Sequence, residues 1–202
     1  MQLARFLLAC LAALAATLAC ADDIEVRDVR LEPVEEGYAL QADFAFDFNA
    51  RLEEAVRGGV ALYFVYEFEL ARPRWYWFDE KTLSRRHTVK LSYHALSRQF
   101  RLAAGVVQQS FATLDEALGV LKRLRAWAVV DRSVALQDAT YDAAIRMRLD
   151  LGLLPKPFQV SALTSREWRL ESPWRRLSFR PVPAPPAPSE PRREDGEKGA
   201  DK

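Results

Sequence analysis

Residues 40–48, LQADFAFDF, alternate between apolar and polar side chains almost without interruption. Every even position from Leu40 to Phe48 is apolar, and the odd positions are polar except for Ala45. Successive side chains of a β-strand point to opposite faces of its sheet. The stretch therefore predicts an antiparallel strand with one face in a core and the other towards solvent.

Two further stretches show the same period of two. Residues 140–151 are apolar at every odd position, and residues 60–70 are apolar at every even position. The second face of 60–70 begins apolar and then turns acidic at Glu67 and Glu69. This change predicts a central strand that emerges towards solvent, with both carboxylates solvated.

The remaining strand signals complete the expected fold. Residues 87–93 and 98–104 predict the two arms of a hairpin, and a change of apolar parity around Arg27 and Asp28 predicts a β-bulge. Many short antiparallel strands with few helices are typical of two sheets stacked on each other. We therefore expect a mostly β chain, an antiparallel two-sheet sandwich that is immunoglobulin-like in architecture, with one or two short helices.

Two helices are predicted from their caps. Asn49 can cap a helix over residues 50–57, which Gly58 and Gly59 would end. Thr113 and Glu116 form the pattern of a capping box at the start of a second helix. The apolar face predicted for that second helix consists of Leu114, Ala117, Leu118, Leu121 and Leu124.

Residues 1–21 have the three parts of a secretory signal peptide. A head with one charge, Arg5, precedes the apolar run 6–18, and small residues end the segment. The apolar run is short for a membrane-spanning helix, which needs roughly 20 residues. A retained anchor and a lipoprotein lipidated at Cys20 remain as alternatives, although the leucine expected three places before the cysteine sits one place late, at Leu18.

Composition limits the rest of the chain. Half of the residues are hydrophobic and the formal net charge is +1, which is typical of a globular protein and argues against a nucleic-acid partner. After cleavage no cysteine remains, so thiol catalysis and zinc–cysteine sites are excluded. We expect one globular domain over residues 22–180 with no transmembrane segment. Residues 181–202 hold six of the eleven prolines and predict a disordered, charged tail.

Common catalytic patterns are missing from the sequence, which has no G-x-S-x-G, no phosphate-binding glycine loop and no H-E-x-x-H. The two histidines, His87 and His94, are seven residues apart and so fall on opposite faces of a strand. A metal site on His87 with Asp79 or Glu80 is conceivable but weakly indicated. We predict no catalytic residue, no metal site and no cofactor.

The most unusual segment is 72–80, RPRWYWFDE, where Trp75 and Trp77 would share one face of a strand. One interpretation is a strand packed on both sides. The other is an exposed aromatic face rimmed by Arg72 and Arg74, since tryptophan, tyrosine and arginine concentrate at binding hot spots. Trp168 and Trp174 could extend that surface, although core positions are the simpler explanation for both.

Residues 72–80, 91–102, 154–160 and 167–174, in this order and spacing, resemble a family of exported proteobacterial proteins catalogued as domain of unknown function 4390. The resemblance covers residues 24–179. It implies a signal peptide and a periplasmic or envelope location, and members encoded near a sensor histidine kinase imply an accessory role in envelope sensing. It implies no activity, catalytic residue or cofactor.

Two functional hypotheses follow. The first is a non-catalytic periplasmic protein that binds another protein or an envelope component through Arg72, Arg74, Trp75 and Trp77. The alternative is a small-ligand binder or minor hydrolase with its pocket between the sheets. An open aromatic face would favour the first, and a closed apolar cavity with convergent polar groups would favour the second.

The signal peptide yields the first prediction. We expect the exported chain to begin at Asp22, because the ending at 19–21 suits cleavage by signal peptidase. Mass spectrometry of the N-terminal peptide from protein purified out of the periplasmic fraction measures this directly. A lipidated Cys20 or a retained Met1 would contradict the prediction.

Overall fold

Nine strands and three α-helices form the described part of the chain, residues 24–73, 80–134 and 136–182 of a computed structural model. The strands are β1 (Glu25–Val34), β2 (Gly37–Ala45), β3 (Leu62–Arg72), β4 (Glu80–His94), β5 (Gln99–Ala104), β6 (Val107–Phe111), β7 (Arg123–Asp131), β8 (Tyr141–Leu149) and β9 (Arg175–Phe179). The helices are α1 (Ala50–Arg57), α2 (Leu114–Leu121) and α3 (Lys156–Thr164).

The strands form two antiparallel sheets of unequal size. The smaller sheet has the order β1-β2-β7, and the larger has the order β6-β5-β4-β3-β8-β9. The prediction of a mostly β, two-sheet architecture is confirmed. The immunoglobulin-like arrangement is not confirmed, because immunoglobulin constant domains stack four strands on three.

Aromatic side chains join the two sheets. The ring centroids of Phe44 in β2 and Tyr66 in β3 are 5.3 Å apart, and those of Phe68 in β3 and Trp127 in β7 are 6.5 Å apart. These distances are typical of aromatic pairs in a core. The core therefore lies between the small sheet and the middle of the large one.

Local patterns predicted several elements correctly. Leu40, Ala42 and Phe44 are buried along β2, and the bulge in β1 lies between Val26 and Val29. β4 and β5 form the predicted hairpin, and α1 is capped by Asn49, whose side chain accepts a hydrogen bond from the Leu52 amide at 3.0 Å.

Helix α2 has the predicted capping box but a shorter apolar face. The Thr113 hydroxyl accepts from the Glu116 amide at 3.3 Å, and the Glu116 carboxylate accepts from the Thr113 amide at the same distance. Leu124, predicted on this helix, lies in β7 instead, because the helix ends at Leu121 and is capped by Lys122. Leu124 is nevertheless buried.

The third helix, α3, was not predicted. Its sequence has little apolar periodicity, and no side chain caps its first turn. Phe158 on this helix packs against Trp168, with ring centroids 5.7 Å apart. The helix therefore depends on tertiary contacts rather than on its own pattern.

One sequence expectation about β3 is wrong. Glu67 was expected to be solvated, but only 7% of it is exposed. Arg86 from β4 and Arg146 and Arg148 from β8 surround it, with nitrogen–oxygen distances of 2.8, 2.5 and 3.3 Å. β3 lies between β4 and β8, so arginine side chains from both neighbours cover its second face. These ion pairs bury the Glu67 carboxylate.

The arginines also control the charge of Glu67. Burial by itself would raise the pKa of the Glu67 carboxyl, but hydrogen bonds from Arg146 and Arg148 lower it below its ordinary value. Arg146 continues the network to Glu171 at 2.8 Å. The carboxylate is therefore ionised at neutral pH and compensated on both sides.

The far end of the described chain is tied to the small sheet. The Tyr38 hydroxyl accepts from the Val182 amide at 2.9 Å and donates to the Val182 carbonyl at 3.2 Å. Val182 belongs to the segment predicted as a tail, of which residues 183–202 lie outside the described part. Val182 of the predicted tail is therefore held against β2.

Truncation of Leu121 tests the core under α2. Leu121 is 2% exposed, so Leu121→Ala should lower the free energy of unfolding by about 2–5 kcal/mol. Val120→Ala is the matched control, because Val120 is 44% exposed and its loss should change stability by less than about 1 kcal/mol. Urea denaturation measures both, and an equal effect of the two substitutions would contradict the assigned face.

Glu67→Gln tests the buried ion network. Removing the charge takes one acidic partner from Arg146 and from Arg148, both partly buried, so the free energy of unfolding should fall by about 2–4 kcal/mol at pH 7. Because the pKa of Glu67 is lowered in the folded state, its contribution is present above the unfolded value of about 4.3 and is lost as the pH falls further. The difference between the two proteins should therefore shrink below about pH 4.

Glu54→Gln is the control for that comparison. Glu54 forms an exposed pair with Arg51, so its loss should change the free energy of unfolding by less than about 1 kcal/mol. Denaturation curves of the three proteins between pH 3 and pH 7 provide the measurement. A Glu67→Gln effect as small as the control would show that the network contributes no stability.

Candidate functional site

The residues singled out from the sequence are only partly described. Arg72 ends β3, is half-buried, and donates from its guanidinium to the Gln137 side-chain oxygen at 2.6 Å. Arg74, Trp75 and Trp77 lie outside the described residues. The binding face predicted on this segment therefore stays a prediction.

The other two tryptophans have different surroundings. Trp168 is 1% exposed and belongs to the core, as the sequence favoured. Trp174 is half-buried, and the Arg146 guanidinium lies 4.6 Å from its ring centroid. Trp174 thus covers the ion network of Glu67 by a cation–π contact.

A large cleft opens where the small sheet fails to cover the large one. The three-stranded sheet lies over the middle of the six-stranded sheet, and helix α2 packs against β5, β6 and β7. Between them lies a cavity of about 980 Å³, open to solvent. This volume is at the upper end of those of small-molecule sites.

The cleft is lined mainly by apolar side chains from both walls. Val107 on β6 and Val120 on α2 are 59% and 44% exposed, although both are large hydrophobic residues. Exposed apolar surface of this kind is typical of sites that are covered by a ligand or partner. The apolar lining consists of Val89, Leu102, Ala104, Val107, Phe111, Val120, Leu121 and Leu124.

Tyr66 and His87 form the floor of the cleft. They lie opposite each other on β3 and β4, with ring centroids 6.0 Å apart. The Tyr66 hydroxyl donates a hydrogen bond to the Leu121 carbonyl, and burial raises its pKa. Tyr66 is therefore neutral and joins the floor to the end of α2.

His87 is the uncommitted polar group of the floor. Its ring is half-buried and lies 5.6 Å from the ring centroid of Trp127. Burial lowers the pKa of the imidazole, so the ring is neutral at pH 7. Neither ring nitrogen forms a hydrogen bond with another described residue, and the imidazole is therefore available to a ligand.

His94 does not contribute to this site. It is the last residue of β4, where its Nδ1 is 2.9 Å from the Ser97 hydroxyl. The odd spacing of the two histidines puts them on opposite faces of the strand. The metal site considered from the sequence combines His87 with Asp79 or Glu80, and Asp79 lies outside the described residues. Among the described residues, no three metal-ligating side chains come together.

A bulge in β7 shapes the rim of the cleft. Its register against β2 shifts between Leu124 and Trp127, and Ala126 has a φ of 51°. Arg125 spans the irregularity by donating to the Ala42 carbonyl at 3.2 Å and to Asp43 at 2.5 Å. Bulges of this kind change the direction of neighbouring side chains and occur often beside active sites.

The comparison with protein families gives one match. The model of a family described as a domain of unknown function (DUF4390) matches residues 21–178, more than half of the chain. The chain belongs to this family. The resemblance noted in the sequence is thereby confirmed at the level of the family.

Membership in DUF4390 brings no activity with it, and no curated protein and no solved structure matches the chain. In the described part of this DUF4390 chain, every helix is too short or too polar to cross a membrane. Function must therefore be argued from the cleft itself. Sequence analysis missed the cleft and selected only His87 from it as a candidate site residue, because the lining side chains come from six separate elements.

Proposed function

We propose that this DUF4390 protein is a non-catalytic binding protein of the cell envelope, and that the cleft takes a small, largely apolar ligand. This proposal rests on one observation: an open apolar cleft has on its floor a neutral histidine, His87, that forms no hydrogen bond with another described residue. An apolar pocket with few polar groups is the usual form of a small-molecule site. The proposal takes up the small-ligand binder of the second sequence hypothesis, with a cleft that is open to solvent rather than closed.

The walls of the cleft supply the affinity in this proposal. Val107, Phe111 and Val120 present apolar surface to solvent on opposite sides of the opening. Removing such apolar surface from water makes the free energy of binding more favourable by about 25 cal/mol for each Å². A ligand that touches both walls would gain this energy twice, once on β6 and once on α2.

His87 supplies orientation rather than catalysis. A general base is normally aligned by a carboxylate or a similar group, whereas the described neighbours of His87 are the rings of Tyr66 and Trp127. These tilted ring contacts hold the imidazole in place without charging it. The ring is suited to one hydrogen bond with a ligand inside an apolar site.

The location and the partner remain predictions within this proposal. The signal peptide over 1–21 supports a periplasmic place of action. Arg72, Arg74, Trp75 and Trp77 remain the segment through which a protein or envelope component would bind. Such a partner could receive or respond to the ligand, as an accessory role in envelope sensing would require.

Gly119 provides a sharp test of the cleft. It lies on the cleft side of α2, and a Cβ added there would meet no atom within 4 Å. Gly119→Leu should therefore fill the opening without a clash, and leucine favours a helix by up to about 1 kcal/mol over glycine. The variant should fold at least as stably as the parent and bind ligand poorly.

The measurement uses the neutral fluorophore N-phenyl-1-naphthylamine with the full mature chain. We expect its fluorescence to rise on binding, and Gly119→Leu to weaken binding by about tenfold or more. Glu54→Leu places the same side chain on the exposed face of α1 and should bind as the parent does. Absence of binding to the parent, or equal binding by Gly119→Leu, would overturn the proposal.

A further inference from the structure

A second, polar cavity adjoins the mouth of the cleft. It has a volume of about 640 Å³ and shares Gly119, Arg123 and Arg125 with the cleft. Its other walls come from β1, β2 and the residue after α2, Lys122. The apolar cleft therefore opens into a polar chamber at the C-terminal end of α2.

The acids of this chamber are already neutralised. Asp28 pairs with Arg30 at 2.7 Å, and Asp43 pairs with Arg125 at 2.5 Å. Of the chamber's other cations, Arg27 pairs with Glu25 at 3.1 Å. The chamber thus contains no described carboxylate that is free to receive another cation.

Lys122 and Arg123 remain without an acidic partner among the described residues. The Lys122 ammonium lies 4.8 Å from the ring centroid of Phe46, and Arg123 is exposed. The Leu121 carbonyl, which would place negative charge beside them, is occupied by the Tyr66 hydroxyl. The shared mouth therefore carries an excess of positive charge.

The opposite end of the cleft has the opposite polarity. Asp115 and Glu116 line it at the N-terminal end of α2. The Glu116 carboxylate accepts from the amides of Ala112 and Thr113 at 3.1 and 3.3 Å, so it is occupied by the helix cap. An eight-residue helix is about 12 Å long, which separates the two ends of the cleft.

We propose that the ligand is a single-chain anionic amphiphile, an alkyl chain that ends in a carboxylate. The chain lies in the apolar cleft along α2, and the carboxylate lies at Arg123 and Lys122. Arginine matches a carboxylate with two parallel N–H donors, and lysine adds a point charge. This inference rests on the proposed function and names the ligand class of the same site.

The test is a competition that separates the chain from its head group. N-phenyl-1-naphthylamine bound to the full mature chain is displaced by decanoate or decyltrimethylammonium below their micellar concentrations, or by decanol below its solubility limit. We expect decanoate to displace the probe at about tenfold lower concentration than decanol, because only the carboxylate can pair with Arg123. The advantage of decanoate should decrease as salt is added.

Substitution of the cations supplies the second measurement. Arg123→Gln and Lys122→Gln should each weaken decanoate binding, by about tenfold for the arginine, and leave decanol binding unchanged. Arg176→Gln removes an exposed arginine of β9 outside the cleft and should leave the binding of both competitors unchanged.

The outcomes distinguish the two proposals. If the probe binds and Gly119→Leu blocks it, but decanoate and decanol compete equally, the cleft is a ligand site and the anionic class is wrong. Tighter binding of decyltrimethylammonium would also overturn the inference and would assign the head group to Asp115. If the probe does not bind at all, the proposed function itself fails.

Discussion

The antiparallel pairing of β3 with β4 on one edge and β8 on the other positions the rest of the molecule. One face of β3 directs Tyr66 and Phe68 at the small sheet, and the other directs Glu67 at three arginines of its two neighbours. Side chains therefore cover both faces of β3. The register that brings Tyr66 opposite His87 also builds the floor of the cleft.

The cleft follows from the unequal sizes of the two sheets. Three strands cannot cover the inner face of six, and at one end of the large sheet β5 and β6 lie against helix α2 instead of the small sheet. Helix α2 covers this region only partly because it has eight residues and ends at Leu121. Apolar surface that would be buried in a symmetric sandwich is thus left open to a ligand.

The two ends of α2 give the two ends of the cleft charges of opposite sign. The capping box that starts the helix occupies Glu116, and the hydroxyl of Tyr66 occupies the carbonyl of its last residue. The Lys122 ammonium lies over the Phe46 ring, and in the described part of the chain neither Lys122 nor Arg123 has an acidic partner at the mouth. Stability and the proposed selectivity for an anionic head group therefore depend on one short element.

The sequence by itself determined the local features: the strand alternation, the bulge in β1, the cap at Asn49 and the capping box at Thr113. Each of these depends on residues within a few positions of one another, so a single sequence contains the whole signal. The mostly β fold class followed from the same kind of pattern, whereas the resemblance to the family rests on the order and spacing of four segments between residues 72 and 174.

Only the tertiary structure decided the burial of Glu67, the placement of Leu124 in β7, the presence of α3 and the cleft. Glu67 contacts arginines that are 19, 79 and 81 residues away along the chain, and period-two alternation does not say which strands pair. His87 could be identified as unusual from the sequence, but its role could not, because its environment consists of Tyr66 and Trp127 from two other strands. A binding site formed by several elements depends on how those elements pack, and that information is not local to any of them.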